Sequence, residues 1–241
     1  MRTICLLAAL AACGGGQSGH TTDVKPTLSF SALDNATIER LVDAAAGDDV
    51  FAAQDAVEQY STSNDVCPAI GAIGQTITLT GGCTDAFGVM LAGAARIDNP
   101  ESWPQVEYDP SQPTQYTFEQ LTLTSLTSTQ TFDGLLGLQN SLSTYDADLD
   151  ATIAGVEVRS DLFLRCTAEG GSQLSCSLST SGIELTGQGG ALVSGTIVDS
   201  SVSASLTAQL TLDGADTLTA TITQNCVAWT ISDSANAKTC P

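Results

Sequence analysis

Residues 201–218 decide the fold class: Ser201-Val202-Ser203-Ala204-Ser205-Leu206-Thr207-Ala208-Gln209-Leu210-Thr211-Leu212-Asp213-Gly214-Ala215-Asp216-Thr217-Leu218. Val202, Ala204, Leu206, Ala208, Leu210 and Leu212 alternate without a break with Ser201, Ser203, Ser205, Thr207, Gln209 and Thr211. Successive side chains of a strand point to opposite faces, so a period of two describes a strand with one buried and one wet face. Asp213-Gly214-Ala215-Asp216 supplies turn residues, and Leu218, Ala220 and Ile222 carry the apolar row back along a second strand.

The same reading extends in both directions. Ile183 and Leu185, then Gln188-Gly189-Gly190, then Leu192 to Val198 predict a hairpin, and Ser160 to Cys166 with Gln173 to Thr180 predict another. Gln75 to Thr80 alternates around Ile77 and Leu79, Gly81-Gly82 turns, and Gly88 to Ile97 is the return strand. Asn99 to Pro113 holds four of the seven prolines with Trp103 and Tyr108, a loop that no central strand accommodates. Ser31 to Tyr60 is different. Ala32, Leu33, Ala36, Ile38, Leu41, Val42 and Ala45 recur at helical spacing, Asp34 or Asn35 caps the start, and Glu39 and Arg40 fall on the polar side. Gly47-Asp48-Asp49 breaks the run before a second short helix, Val50 to Tyr60. The fold expected is mainly β: a large antiparallel meander, barrel or sandwich, with a short N-terminal helical segment covering one face or end.

The chain has 241 residues, 42% of them hydrophobic, enough to bury a real core, but only 5% are aromatic. Seven Lys+Arg stand against 27 Asp+Glu, a formal charge of −20. That balance argues against nucleic acid as a partner, which needs clustered cations, and against electrostatic docking on anionic lipid. A single histidine, His20, leaves little for zinc binding or for Ser-His and Cys-His catalysis.

Met1-Arg2-Thr3 is a short positive start, and Ile4 to Leu10 is an apolar run too short to span a bilayer. Leu10-Ala11-Ala12-Cys13 follows and resembles the lipobox of bacterial lipoproteins. The resemblance implies cleavage before Cys13 and acylation of its sulfur, with palmitate among the fatty chains. Two acyl chains on one residue hold a membrane stably where one does not. Gly14 to Gly19 reads as a flexible tether. With Cys5 leaving in the signal and Cys13 lipidated, six cysteines remain: Cys67, Cys83, Cys166, Cys176, Cys226 and Cys240. In an exported chain they read as three disulfides, with fifteen connectivities possible. Each sequential pair brackets a turn, namely Gly71 to Gly74, Gly170-Gly171-Ser172 and Ser232 to Ala235, so the pairing expected is Cys67–Cys83, Cys166–Cys176 and Cys226–Cys240.

The organisation expected is a signal peptide over residues 1–12, a lipidated tether over 13–30, a helical segment over 31–66 packing on the sheet, and a disulfide-stapled β domain over 67–241. Cys67-Pro68, Thr80-Gly81-Gly82-Cys83-Thr84-Asp85 with Gly88, Gly214-Ala215-Asp216-Thr217-Leu218, and Asn225-Cys226-Val227-Ala228-Trp229-Thr230 before Cys240 together resemble a family of cysteine-stapled β lipoproteins. That family occurs in myxobacteria-like Gram-negative bacteria, has no assigned activity and transfers no functional residue. Where it carries Gly between the last Trp and Cys, this chain has Ser232-Asp233-Ser234-Ala235.

No Gly-x-Ser-x-Gly, Ser-x-x-Lys, P-loop or GxGxxG pattern occurs. A carboxylate pair of the glycosidase kind leaves no sequence signature among 27 acids. Asp146, Asp148, Asp150, Ile153 and Glu157 occupy positions one, three, five, eight and twelve of an EF-hand loop, a weak calcium candidate, but Ala151 stands where the sharp turn calls for Gly. The strand reading is preferred: Ala147, Leu149, Ala151 and Ile153 on one face, Asp146, Asp148, Asp150 and Thr152 on the other. The function expected is that of a non-enzymatic, cofactor-free envelope lipoprotein. It would sit in the outer membrane through Cys13 and present its β domain to a protein or matrix partner. The alternative is a carrier holding a lipid or other hydrophobe in an open β-barrel.

Overall fold

The computed structural model describes residues 24–61, 66–139, 144–169, 173–200, 205–223 and 226–240. The meander is one antiparallel sheet of fourteen strands: β1 (Ala69–Ile73), β2 (Thr76–Thr80), β3 (Cys83–Thr84), β4 (Met90–Asp98), β5 (Thr114–Thr124), β6 (Thr129–Gln139), β7 (Thr144–Ile153), β8 (Val156–Glu169), β9 (Gln173–Leu185), β10 (Gly189–Ser200), β11 (Ser205–Asp213), β12 (Thr217–Thr223), β13 (Cys226–Ile231) and β14 (Ala237–Lys238). Neighbours in sequence are neighbours in the sheet, except that β3 pairs with β4 off the main path and β2 pairs with β4. Among the described residues β1 pairs only with β2 and β14 only with β13, so the sheet is open.

The period of two works as read. In β11 Ala208, Leu210 and Leu212 are buried and Thr207 and Gln209 exposed, and Leu218, Ala220 and Ile222 of β12 continue the buried row. Residues 201–204 lie outside the described residues. The outer face carries mainly Thr, Ser, Gln and acidic side chains, the inverse of a membrane-spanning barrel with its apolar outer band.

Two helices, α1 (Asn35–Ala45) and α2 (Asp48–Glu58), cover the inner face. The Asp34 carboxylate accepts the Thr37 N–H at 2.8 Å and caps α1, and Gly47, in the left-handed region at φ +88°, lets the chain turn between the helices. Ile38, Leu41, Val42, Val50 and Val57 are fully buried, with α1 against β8 and β9 and α2 against β7. Lys238 of β14 donates to Glu39 of α1 at 2.8 Å, and Tyr116 of β5 donates to Glu58 of α2 at 2.8 Å. Ten strands laid flat would spread about 43 Å, far wider than a helix pair. The sheet therefore curls around the helices, which occupy the interior.

Four details differ from the sequence reading. Gly71, expected in a turn, lies inside β1, and the turn falls at Gly74-Gln75. The strand expected over Gln173 to Thr180 continues to Leu185 as one β9, with a shift of register against β8 between Asp161 and Leu164. The strand expected from Leu192 to Val198 runs from Gly189 to Ser200, with Ala191 and Val193 inward and Leu192 outward. The second helix begins at Asp48 rather than Val50. In the last turn, Asp233 adopts φ +58° and so fills the left-handed place that Gly would favour.

The hairpin turns define two rims. Turns β3–β4, β5–β6, β7–β8, β9–β10 and β11–β12 share the first rim, while the β1–β2 turn and the Asn99–Pro113 loop lie on the opposite one. The N-terminal strap docks on the first rim. Thr27 and Leu28 N–H groups donate to the Gly190 carbonyl at 2.9 and 3.0 Å, and Ala215 N–H donates to the Leu28 carbonyl at 2.8 Å. Asp216 accepts the Phe30 N–H at 2.7 Å and the Ser31 N–H at 3.0 Å. Partial burial opposes its charge, but the bonds from Ser31, Phe30 and Ser29 outweigh that and hold its pKa below 3.8.

Candidate functional site

Three places gather chemistry. The first is the buried corner where α1 meets α2. Arg40 was expected on the polar side of its helix; it is buried instead, with 9% of its side chain exposed. Its guanidinium Nη2 donates to Asp49 at 2.9 Å and to the Ala151 carbonyl at 3.3 Å, and Nη1 lies 2.9 Å from the other Asp49 oxygen. That second approach is a charge contact and not an aligned hydrogen bond. Ser160 Oγ also donates to Asp49 at 3.4 Å. Asp49 lies in the first turn of α2, so its charge is also near the positive end of the α2 dipole. Burial pushes its pKa up against the opposing pull of Arg40 and Ser160. Next to it Asp48, reachable by solvent, is pushed up to about 6, by desolvation first and then by Asp43 and Asp49. This corner pins the helix pair to β7 and β8. Arg40 and Asp49 are both buried, so the pair positions structure.

The second place is the outer face of β6 to β8. Asp146, Asp148 and Asp150 project from β7 to the outer face with Ala147, Leu149 and Ala151 buried behind them, as the strand reading has it. Asp150 stands opposite Asp133, and Asp148 opposite Asp161. Arg159 donates to Asp148 at 3.0 Å. Desolvation, and the charges of Asp148, Glu157 and Asp133, raise the Asp150 pKa against the pull of Arg159. Along a strand, side chains two apart are about 6.6 Å apart, so Asp146 and Asp150 lie about 13 Å from each other. Calcium ligands sit at about 2.4 Å from the ion, so the candidate Asp146, Asp148, Asp150 and Glu157 cannot wrap one ion as a loop would. Among the described residues no group of three or more His, Cys, Asp or Glu converges on a metal position. Gly137, without a side chain, leaves a shallow groove of about 220 Å³ between Thr117, Leu135, Asp146 and Asp148.

The third place is the set of disulfides. Cys67–Cys83, Cys166–Cys176 and Cys226–Cys240 close over sequence separations of 16, 10 and 14 residues, the sequential pairing. Cys166 and Cys176 are directly opposite each other in the β8–β9 ladder. Cys13, the lipidation candidate, and His20 lie outside the described residues.

Besides the burial of Arg40, sequence reasoning missed the large apolar side chains displayed at turns. Phe87 in the β3–β4 turn is 89% exposed, and Leu126 in the β5–β6 turn is fully exposed. A signal was present, a single Leu between Ser125 and Thr127-Ser128 where turns are ordinarily polar. No protein-family description, no characterised protein and no solved structure matches this chain.

Proposed function

We propose that the protein is a non-enzymatic cell-envelope lipoprotein, anchored in the outer membrane through acylated Cys13 and presenting its stapled β domain to a partner in or on the envelope. The observation that carries the reading is the set of three disulfides, which persist in an oxidising compartment, together with the Leu10-Ala11-Ala12-Cys13 stretch. The polar outer face of the sheet supports a domain that stands in water beside the membrane. The carrier alternative finds less support, because α1 and α2 occupy the inner face that an open barrel would offer to a hydrophobe. Globomycin, which blocks the lipoprotein signal peptidase, tests the anchor. Treated cells should accumulate the unprocessed precursor, and normal processing under the drug would contradict the reading.

A further inference from the structure

We propose that the uncharged part of the first rim, led by Phe87 and Leu126, is a second membrane contact that dips into the bilayer interface and fixes the orientation of the domain. The proposal rests on the anchoring reading for where the bilayer lies. Phe87 and Leu126 occupy neighbouring tips, since Met90 at the start of β4 pairs with Thr124 at the end of β5. Met90, 52% exposed, and Val66, 97% exposed beside the Cys67–Cys83 bridge, extend the apolar surface.

The display is built into the fold. Asp85 accepts the N–H groups of Phe87 and Val89 at 2.9 and 2.8 Å and the Tyr60 hydroxyl at 3.0 Å, which locks the turn with Phe87 outward. Ser125 Oγ accepts the N–H groups of Thr127 and Ser128 at 3.3 and 3.1 Å and holds Leu126 at the apex of its turn. Charge is excluded around both tips. From Val66 to Ala95 the sole ionisable side chain outside the disulfide is Asp85, which is buried, and residues 120–132 carry none. In a chain of formal charge −20, such a stretch lets apolar tips approach a lipid headgroup layer without repulsion.

The course of the chain selects a bilayer over a protein partner. Pro26 pairs in parallel with Gly190, so the strap runs in the direction of β10, which starts at the first rim. Val24, the first described residue, packs against Gly190 at that rim, and the length of chain from Cys13 to Val24 spans at most about 40 Å. A lipid on Cys13 therefore holds the rim that carries Phe87 and Leu126 within reach of the membrane. Ile73, 84% exposed, lies on the opposite rim and serves as an internal control.

The test uses Phe87→Trp, Leu126→Trp and Ile73→Trp, each in the full chain, reconstituted in phosphatidylcholine vesicles containing brominated lipid. Trp103 and Trp229 are each 1% exposed and give a constant background. The added emission at positions 87 and 126 should be quenched and blue-shifted, and that at 73 should not. Equal quenching at all three positions, or none at 87 and 126, would overturn the proposal. Intact mass of the same preparation reads the anchor separately. Should Cys13 carry no lipid, its thiol in a Cys5→Ser chain is coupled to a maleimide phospholipid and the three positions are read again, with the same outcomes deciding.

Discussion

At the scale of single residues, the pair Arg40–Asp49 ties α1 to α2 inside the molecule, with side chains 9% and 0% exposed. Replacing Arg40 by Met removes the cation and leaves a buried carboxylate facing Ser160, which costs about 3–5 kcal/mol. Urea unfolding should show that loss, and a change under about 1 kcal/mol would mean that Asp49 is relieved by solvent or protonation. Asp48 gives a pH signature. Its proton is released near 3.8 in the unfolded chain and at about 6 in the folded one, so between these values the folded state binds more protons. Stability contributed by this group falls as pH rises through that window, and Asp48→Asn should flatten the slope of stability against pH between 4 and 6. Asp43 and Asp49 shift in the same direction and leave a residual slope. None of this was legible in the sequence. Glu39-Arg40 reads as a polar helical face, and only the curl of the sheet over α1 converts that position into interior.

At the scale of elements, alternation and turn chemistry made the strands readable, and the three staples followed from cysteines bracketing turns. What alternation could not supply is where a bulge resets the register. Between β4 and β5 the register shifts at Gly93, whose φ is +74°, opposite Gln120 at φ +50°. The same kind of shift in β8–β9 joined two expected segments into one long strand. The Cys166–Cys176 bridge spans a ladder that holds itself by backbone hydrogen bonds. Replacing both cysteines by Ser should therefore cost about 2–3 kcal/mol of chain entropy and leave the β content intact. Circular dichroism with thermal melting checks this. Loss of the β signal at 25 °C would show that the staple, and not the ladder, defines the hairpin.

For the whole molecule, one open sheet wraps two helices, and the wrapping is what the sequence concealed. The helical segment was expected to cover a face or an end. Its contacts from β5 to β14 make it the filling of the curl: the inner face of β7 to β12 offers Ala, Leu, Val and Ile, and the buried aromatics Tyr116, Phe118, Phe132 and Trp229 stand on β5, β6 and β13. The proposed anchoring and the disulfide closure can both be read from the mass of the protein. The most direct measurement is intact and non-reducing peptide mass spectrometry of the protein extracted from the envelope of its host. The account predicts a chain starting at Cys13 with a diacylglyceryl modification, no alkylatable thiol, and the bridges Cys67–Cys83, Cys166–Cys176 and Cys226–Cys240. A chain that retains Met1 with an unmodified Cys13, or that alkylates at any of the six paired cysteines, would contradict it.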